Sequence, residues 1–107
     1  MAKKAAFAIV YADEVKQHLR AIESKHHSLI RSQTEEQLRF EPEVETRNRK
    51  PLLRPIVSDV QWELRLGPRN RFRVFYQVDL ENHKVRVLAV GVKERNRLKI
   101  GGEDIEG

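Results

Sequence analysis

Residues 61–92 contain three runs in which every second side chain is apolar, and this pattern commits the chain to a sheet built from neighbouring strands. Trp62, Leu64 and Leu66 alternate with Gln61, Glu63 and Arg65. Phe72, Val74, Tyr76 and Val78 alternate with Arg71, Arg73, Phe75 and Gln77, and Val85, Val87 and Ala89 with Lys84, Arg86, Leu88 and Val90. Gly67-Pro68-Arg69-Asn70 and Asp79–His83 separate the runs. Period-two alternation of β-branched and aromatic residues between turn-forming clusters predicts strands, and connections this short join antiparallel neighbours. Such a meander buries one face and opens the other. The open face is expected to carry Arg65, Arg71, Arg73, Lys84 and Arg86.

Ahead of the meander, residues 5–11 are almost continuously apolar, which predicts a strand buried on both sides. Asp13 stands where a helix N-cap or first-turn carboxylate would help. Val15, Leu19 and Ile22 follow at i, i+4 and i+7 and predict a helix to about residue 25. Ser28 caps a second expected helix over 29–40, with Leu29, Ile30, Leu38 and Phe40 apolar; Gln33, Thr34 and Gln37 at expected core sites weaken its stripe. Glu41-Pro42 ends it, because the residue before proline is pushed out of the α region. Residues 41–60 read as a connector with prolines at 42, 51 and 55. Leu52, Leu53, Ile56 and Val57 should pack down, and Arg47, Arg49, Lys50 and Arg54 make the connector basic. The order is β–α–α–β–β–β, an α+β domain with an antiparallel sheet and an α-hairpin on one face. One domain spans 1–107, its Gly-rich acidic tail (100–107) expected to be flexible and frayed beyond Gly102.

A chain of 107 residues can hold a single core without staples. Without cysteine it has no disulfide framework and no thiolate metal site. His26-His27 lacks a third ligand at a metal-like spacing, so neither metal nor cofactor is expected. No apolar run approaches the length of about 18 residues that spans a bilayer, and a cytoplasmic setting is expected. The net charge is +5, but residues 46–99 hold two-thirds of the 21 Lys and Arg residues. A field of that sign attracts phosphates or an acidic protein. Arginines that only solvate an open sheet face would give the same composition.

The segments W-E-L-R-L (62–66), F-R-V-F-Y-Q-V (72–78) and V-R-V-L-A-V-G-V-K-E-R (85–95), preceded by Lys50-Pro51-Leu52, resemble the RelE/ParE superfamily of toxin–antitoxin toxins. The resemblance covers residues 5–99 and is most specific in the last forty. It implies the same β–α–α–β–β–β fold and the toxin component of a type II toxin–antitoxin system. In the RelE-like branch that component is a ribosome-dependent endoribonuclease, an mRNA interferase that inhibits translation. The chemistry is attack of a ribose 2′-OH on the adjacent phosphate, needing a proton acceptor, cations around the phosphorane and a donor to the leaving 5′ oxygen. The resemblance places Arg73 on the scissile phosphate, with Arg65 and Lys93 as further cations. Arg71, Arg86, Arg95, Lys50 and Arg49 are implied as surrounding RNA contacts.

The sequence departs from the nuclease pattern at two places. Glu63 stands where the nuclease type has a basic residue, and is either a proton acceptor or an arginine-paired carboxylate. Lys99 stands where RelE has a tyrosine, with no Tyr or His anywhere after His83. Tyr76 and Trp62 belong with the buried register, His18 borders the helix stripe, and His83 is expected to be solvated in its turn.

Phe75, Leu88 and Val90 share the open register with Arg73 and Arg86, an apolar patch rimmed by cations. An acidic, amphipathic antitoxin segment that folds on binding would suit it; the alternative is cover in cis by Leu98–Ile105. Beside the nuclease reading stand a ParE-like toxin acting on DNA gyrase and a degenerate member that only binds an antitoxin. The expected partners are the antitoxin, mRNA and the ribosome, with either a homo-oligomer or a toxin–antitoxin hetero-oligomer and no membrane.

Overall fold

The computed structural model describes residues 5–53 and 59–105; Arg54, Pro55, Ile56 and Val57 of the connector lie outside the described residues. Among the described residues there are seven strands and two α-helices: β1 (Ala8–Tyr11), α1 (Glu14–Arg20), α2 (His27–Leu38), β2 (Arg49–Pro51), β3 (Trp62–Leu66), β4 (Phe72–Asp79), β5 (Lys84–Glu94), β6 (Arg97–Ile100) and β7 (Glu103–Ile105). The fold is α+β. Strands β2 to β7 form one antiparallel sheet in sequence order, and β1 lies parallel to β5. No helix among the described residues is long and apolar enough to cross a membrane.

Several expectations change. The sheet is not purely antiparallel, because β1 pairs with Lys84–Val87 of β5 in the parallel sense. β1 is therefore an edge strand, and Val10 and Tyr11 are exposed rather than buried on both sides. The tail does not fray at Gly102: Gly101 and Gly102 take left-handed φ of 62° and 84° and turn the chain from β6 into β7. α1 stops at Arg20, short of residue 25, and a 3₁₀ turn at Ser24–His26 leads into α2. His27 closes this corner, its ring Nε2 lying 2.8 Å from both the Leu19 and Ile22 carbonyl oxygens. The ring thus ties the end of α1 and the turn after it to the start of α2. α2 begins at His27 rather than after Ser28.

Both helices cover one face of the sheet. Val15, Ile22, Ile30 and Leu38 pack there against Leu64, Leu66, Phe72, Val74, Tyr76, Val85, Val87 and Val90. Trp62 stacks on Tyr76 at 6.2 Å between centroids, and the buried Tyr76 hydroxyl donates to the Pro42 carbonyl at 2.7 Å. Polar residues in the α2 stripe are partly employed: the Gln33 side-chain oxygen accepts from the Gly67 N–H at 3.2 Å.

The strict alternation expected in the last meander strand is broken by a β-bulge. Phe75 opposes Ala89 but Tyr76 opposes Val87, which leaves Leu88 as the extra residue. One inserted residue reverses the sides of everything beyond it. Val90 therefore enters the helix-side core, 2% exposed, while Ala89 joins Phe75 on the opposite face. That face carries a second apolar cluster in which Val60, Phe75, Ala89 and Ile100 are buried, with Leu52, Leu88, Leu98 and Ile105 packed around them. The open apolar patch expected at Phe75, Leu88 and Val90 is thus corrected. Phe75 is fully buried, Val90 lies on the other side of the sheet, and the chain's own C-terminal hairpin contributes to covering Leu88.

Candidate phosphate-binding face

Opposite the helices, β3 and β4 bring three charged side chains into one network. Arg65 and Arg73 are direct cross-strand partners. Two like charges so placed repel, and Glu63, two residues before Arg65 on the same strand face, offsets that repulsion. Its Oε1 accepts from Arg65 Nε at 2.7 Å and from Arg73 Nη1 at 3.1 Å. Arg73 Nε also donates to the Asn70 carbonyl at 3.0 Å. The turn aims that carbonyl through left-handed residues, Arg69 at φ 57° and Asn70 at φ 53°.

Burial separates the two arginines. The Arg73 and Glu63 side chains are 11% and 10% exposed, and the Arg65 side chain is 38% exposed. Burial lowers the Arg73 pKa, Glu63 raises it and Arg65 lowers it again. A guanidinium stays protonated through such changes. Arg73 is a positioned, largely covered cation, and Arg65 is the member of the pair that meets solvent. Glu63 holds two guanidiniums together, which is the geometry of a bridging carboxylate.

The remaining expected residues are distributed around this centre. Lys50 opposes Glu63 across β2–β3, and its Nζ lies 3.3 Å from Glu45. Gly91 opposes Arg73. A Cβ there would stand 2.8 Å from the Lys99 carbonyl oxygen, so glycine is what lets β6 approach. Lys93 is exposed two residues further on, and its N–H donates to the Arg71 carbonyl at 2.7 Å. Arg71 lies over the Phe72 ring and pairs with Glu94 at 3.4 Å. Arg95 is exposed at the β5–β6 turn, at φ 49°. Arg86 is far from this group, opposite Gln77.

Arg49 does not join the others. It opposes Leu64 on the helix side, where Nε donates to the Val44 carbonyl at 3.1 Å and Nη1 to the Gln37 carbonyl. Its guanidinium ties the end of α2 to the connector, which corrects its expected place among the RNA contacts. His83 is likewise not simply solvated: it stacks on Phe7 at 3.8 Å, and its Nε2 lies 2.9 Å from the Ala5 carbonyl oxygen.

A residue with a polar role that the sequence did not signal is His18. Between the part of β5 paired with β1 and the part paired with β6, the Val90 N–H donates to His18 Nδ1 at 3.3 Å. Burial lowers the His18 pKa, partly opposed by Glu14. Its position beside the Val15/Leu19 stripe was visible, but its acceptor role depends on where the bulge leaves Val90.

Chemically, this face offers the exposed Lys93 and the half-buried Arg65 and Lys50 around a buried, carboxylate-braced arginine. Such a group suits a phosphodiester or an acidic protein segment. Compared with known protein families, curated proteins and solved structures, the chain finds no match.

Proposed function

We propose that the chain is the toxin of a type II toxin–antitoxin system of the RelE/ParE kind and acts as a ribosome-dependent mRNA endoribonuclease. The observation that carries this reading is the cross-strand Arg65–Arg73 pair braced by Glu63, with Lys93 and Lys50 on the same side of the sheet. The sequence pattern that resembles the family lies in these same strands. In this reading Arg65 and Lys93 contact the scissile phosphate, and Arg73 acts through Glu63 to hold Arg65 in place. The 2′-OH loses its proton and its oxygen bonds to phosphorus. The bond to the 5′ oxygen breaks and that oxygen takes up a proton, leaving a 2′,3′-cyclic phosphate and a 5′-hydroxyl. Glu63 is the carboxylate nearest this centre, and serving as the base would require it to release one of its arginines. The partners are mRNA, the ribosome and an acidic antitoxin, in the cytoplasm where translation proceeds.

A second reading, a ParE-like toxin that acts on DNA gyrase through protein contacts, is favoured by one observation. Arg73 is buried and commits Nε to Asn70 and Nη1 to Glu63, as a structural arginine does. Lys99 in place of the RelE tyrosine points the same way.

The test is tightly induced expression of the wild type and of Arg65→Ala and Lys93→Ala, with primer extension across a translated reporter. Both substitutions replace partly or fully exposed residues and leave the fold intact. mRNA breaks confined to translated regions, absent in both variants, are the expected result. Growth arrest with intact mRNA and lost supercoiling would transfer the function to gyrase, and no arrest would remove the toxin reading.

A further inference from the structure

Among the described residues, the strands of the sheet with a free edge are β2, β7 and β1. An unpaired edge is a template for another chain, and folded proteins guard theirs with charge, proline or shortness. β2 is three residues long and carries Arg49, Lys50 and Pro51; β7 is equally short and carries Glu103 and Asp104. β1 has no such guard, since Ala8, Ile9, Val10 and Tyr11 are all uncharged. Val10 and Tyr11 are 45% and 36% exposed.

The backbone of β1 shows which groups are open. The Ala8 N–H donates to the His83 carbonyl at 3.0 Å and the Ala12 N–H to the Val87 carbonyl at 2.9 Å. Successive residues of a strand turn their N–H and C=O groups to opposite edges, so those of Ile9 and Tyr11 face away from β5. The open run is bounded at both ends: the Phe7 N–H is taken by the Arg39 carbonyl at 2.7 Å, and α1 begins at Glu14. On the helix side a cleft of about 300 Å³ flanks the edge, lined by Phe7, Ile9, Tyr11, Arg31, Glu35 and Arg39. Its charges are mixed, with Arg31 paired to Glu35 at 3.0 Å and the Tyr11 hydroxyl donating to Glu35 at 3.2 Å. A strand that enters here meets no field of one sign, and the backbone decides what fits.

We propose that β1 pairs with β1 of a second copy of this chain, antiparallel about a twofold axis at Val10. Ile9 then stands opposite Tyr11 of the second copy, and each such pair exchanges both of its hydrogen bonds, which satisfies the open groups of both edges. Ile9 packs on the helix-side core, so Val10 lies on the other face. There it meets its own counterpart at the close spacing of a non-hydrogen-bonded pair and loses its exposure. An edge that is its own complement closes into a dimer. A longer foreign strand finds no further open groups here, so the edge favours a second copy. So short a pairing gives a weak dimer, with a Kd on the order of 100 µM. Each copy carries a net charge of +5, so added salt tightens the dimer by screening. The interface is independent of the toxin reading, because Arg65 and Arg73 lie on β3 and β4.

Sedimentation equilibrium of the full chain from about 10 µM to about 1 mM, with amide hydrogen exchange at both ends of that range, tests it. The expected result is monomer at the low end and dimer at the high end, with the Ile9 and Tyr11 amides protected only where the dimer forms. The Phe7 amide, already bonded to Arg39, exchanges at one rate throughout. Val10→Lys changes a side chain that is 45% exposed, keeps the fold, and sets two ammonium groups against each other at the axis. It is expected to weaken the dimer at least about tenfold, whereas Val10→Thr, which keeps the β-branched shape, stays within about threefold of wild type. A chain that is still monomeric at about 1 mM would leave the edge to a strand of another protein and overturn the proposal. So would a dimer that Val10→Lys leaves unchanged, or one whose protected amides fall on β2 or β7.

Discussion

Glu63→Gln is the substitution that most directly measures what holds the cationic face together. The replacement keeps the side chain's shape and one oxygen but removes the charge between Arg65 and Arg73, which stand directly opposite each other. Breaking a fully buried ion pair by neutralising one member costs about 3–5 kcal/mol. Here Glu63 and Arg73 are 10% and 11% exposed, and the retained amide oxygen still accepts one hydrogen bond, so the expected cost is about 2–3 kcal/mol. Arg65→Ala removes a partner that is 38% exposed and screened by water, and should cost under about 1 kcal/mol. For a domain of this size, about 1 kcal/mol moves the midpoint by roughly 4 °C, so the two variants should melt about 10 °C and at most about 4 °C below wild type. Urea unfolding followed by circular dichroism gives the free energies, and a Glu63→Gln/Arg73→Met cycle isolates the pair. The coupling should exceed that of Glu63→Gln/Arg65→Ala, and the Glu63→Leu/Arg73→Leu double variant should recover most of the loss because the only charge left without its partner, Arg65, is partly exposed to water. Glu63→Gln within about 0.5 kcal/mol of wild type, or equal couplings for the two arginines, would refute the account of a buried brace with one exposed arm.

Two further outcomes follow from single contacts. His18 holds the Val90 N–H as a neutral acceptor and its pKa is lowered, chiefly by burial. Because the folded value lies below the unfolded one of about 6.5, the unfolded chain binds the proton first, so this contribution is complete above pH 6.5 and is lost as pH falls through the folded value. Denaturant midpoints from pH 7.5 down to 5 should therefore drop more steeply for wild type than for His18→Gln, and parallel curves would show that the ring carries no such linkage. Tyr76→Phe removes the buried hydrogen bond to the Pro42 carbonyl and should cost about 1–2 kcal/mol in urea unfolding, while an unchanged midpoint would mean that the carbonyl finds another donor.

Much of this architecture is written in the alternation of residues 61–78. The Arg65–Arg73 register was legible because the short turn between β3 and β4 fixes which residues oppose, and Glu63 two positions earlier had to share their face. The burial of Arg73 was not legible, since it depends on the Asn70 carbonyl and on chain packed from elsewhere. The bulge at Leu88 carries no Gly or Pro to announce it, so Ala89 and Val90 were assigned to each other's sides. Gly101-Gly102 read as a frayed tail because the same two residues that loosen an end also make a tight hairpin turn. Arg49 looked like one more cation in a basic run, and only the position of the end of α2 shows it to be a tether. The apolar run at residues 5–11 suggested an interior strand, but parallel pairing placed it at an edge.

That parallel pairing has a consequence for how the molecule comes into being. β1 and its partner Lys84–Val87 are separated along the chain by α1, α2 and β2 to β4, and the same strand also receives β6. Closing so long a loop is slow relative to local contacts and is rewarded only when both ends are present. A nascent chain that has not yet reached β5 holds β2 to β4 but lacks the strand with which β1 pairs and against which α1 packs. The native fold, and with it any surface assembled across β3, β4 and β5, is therefore completed only once β5 is present, and fragments ending before residue 84 should lose the cooperative unfolding transition of the full chain.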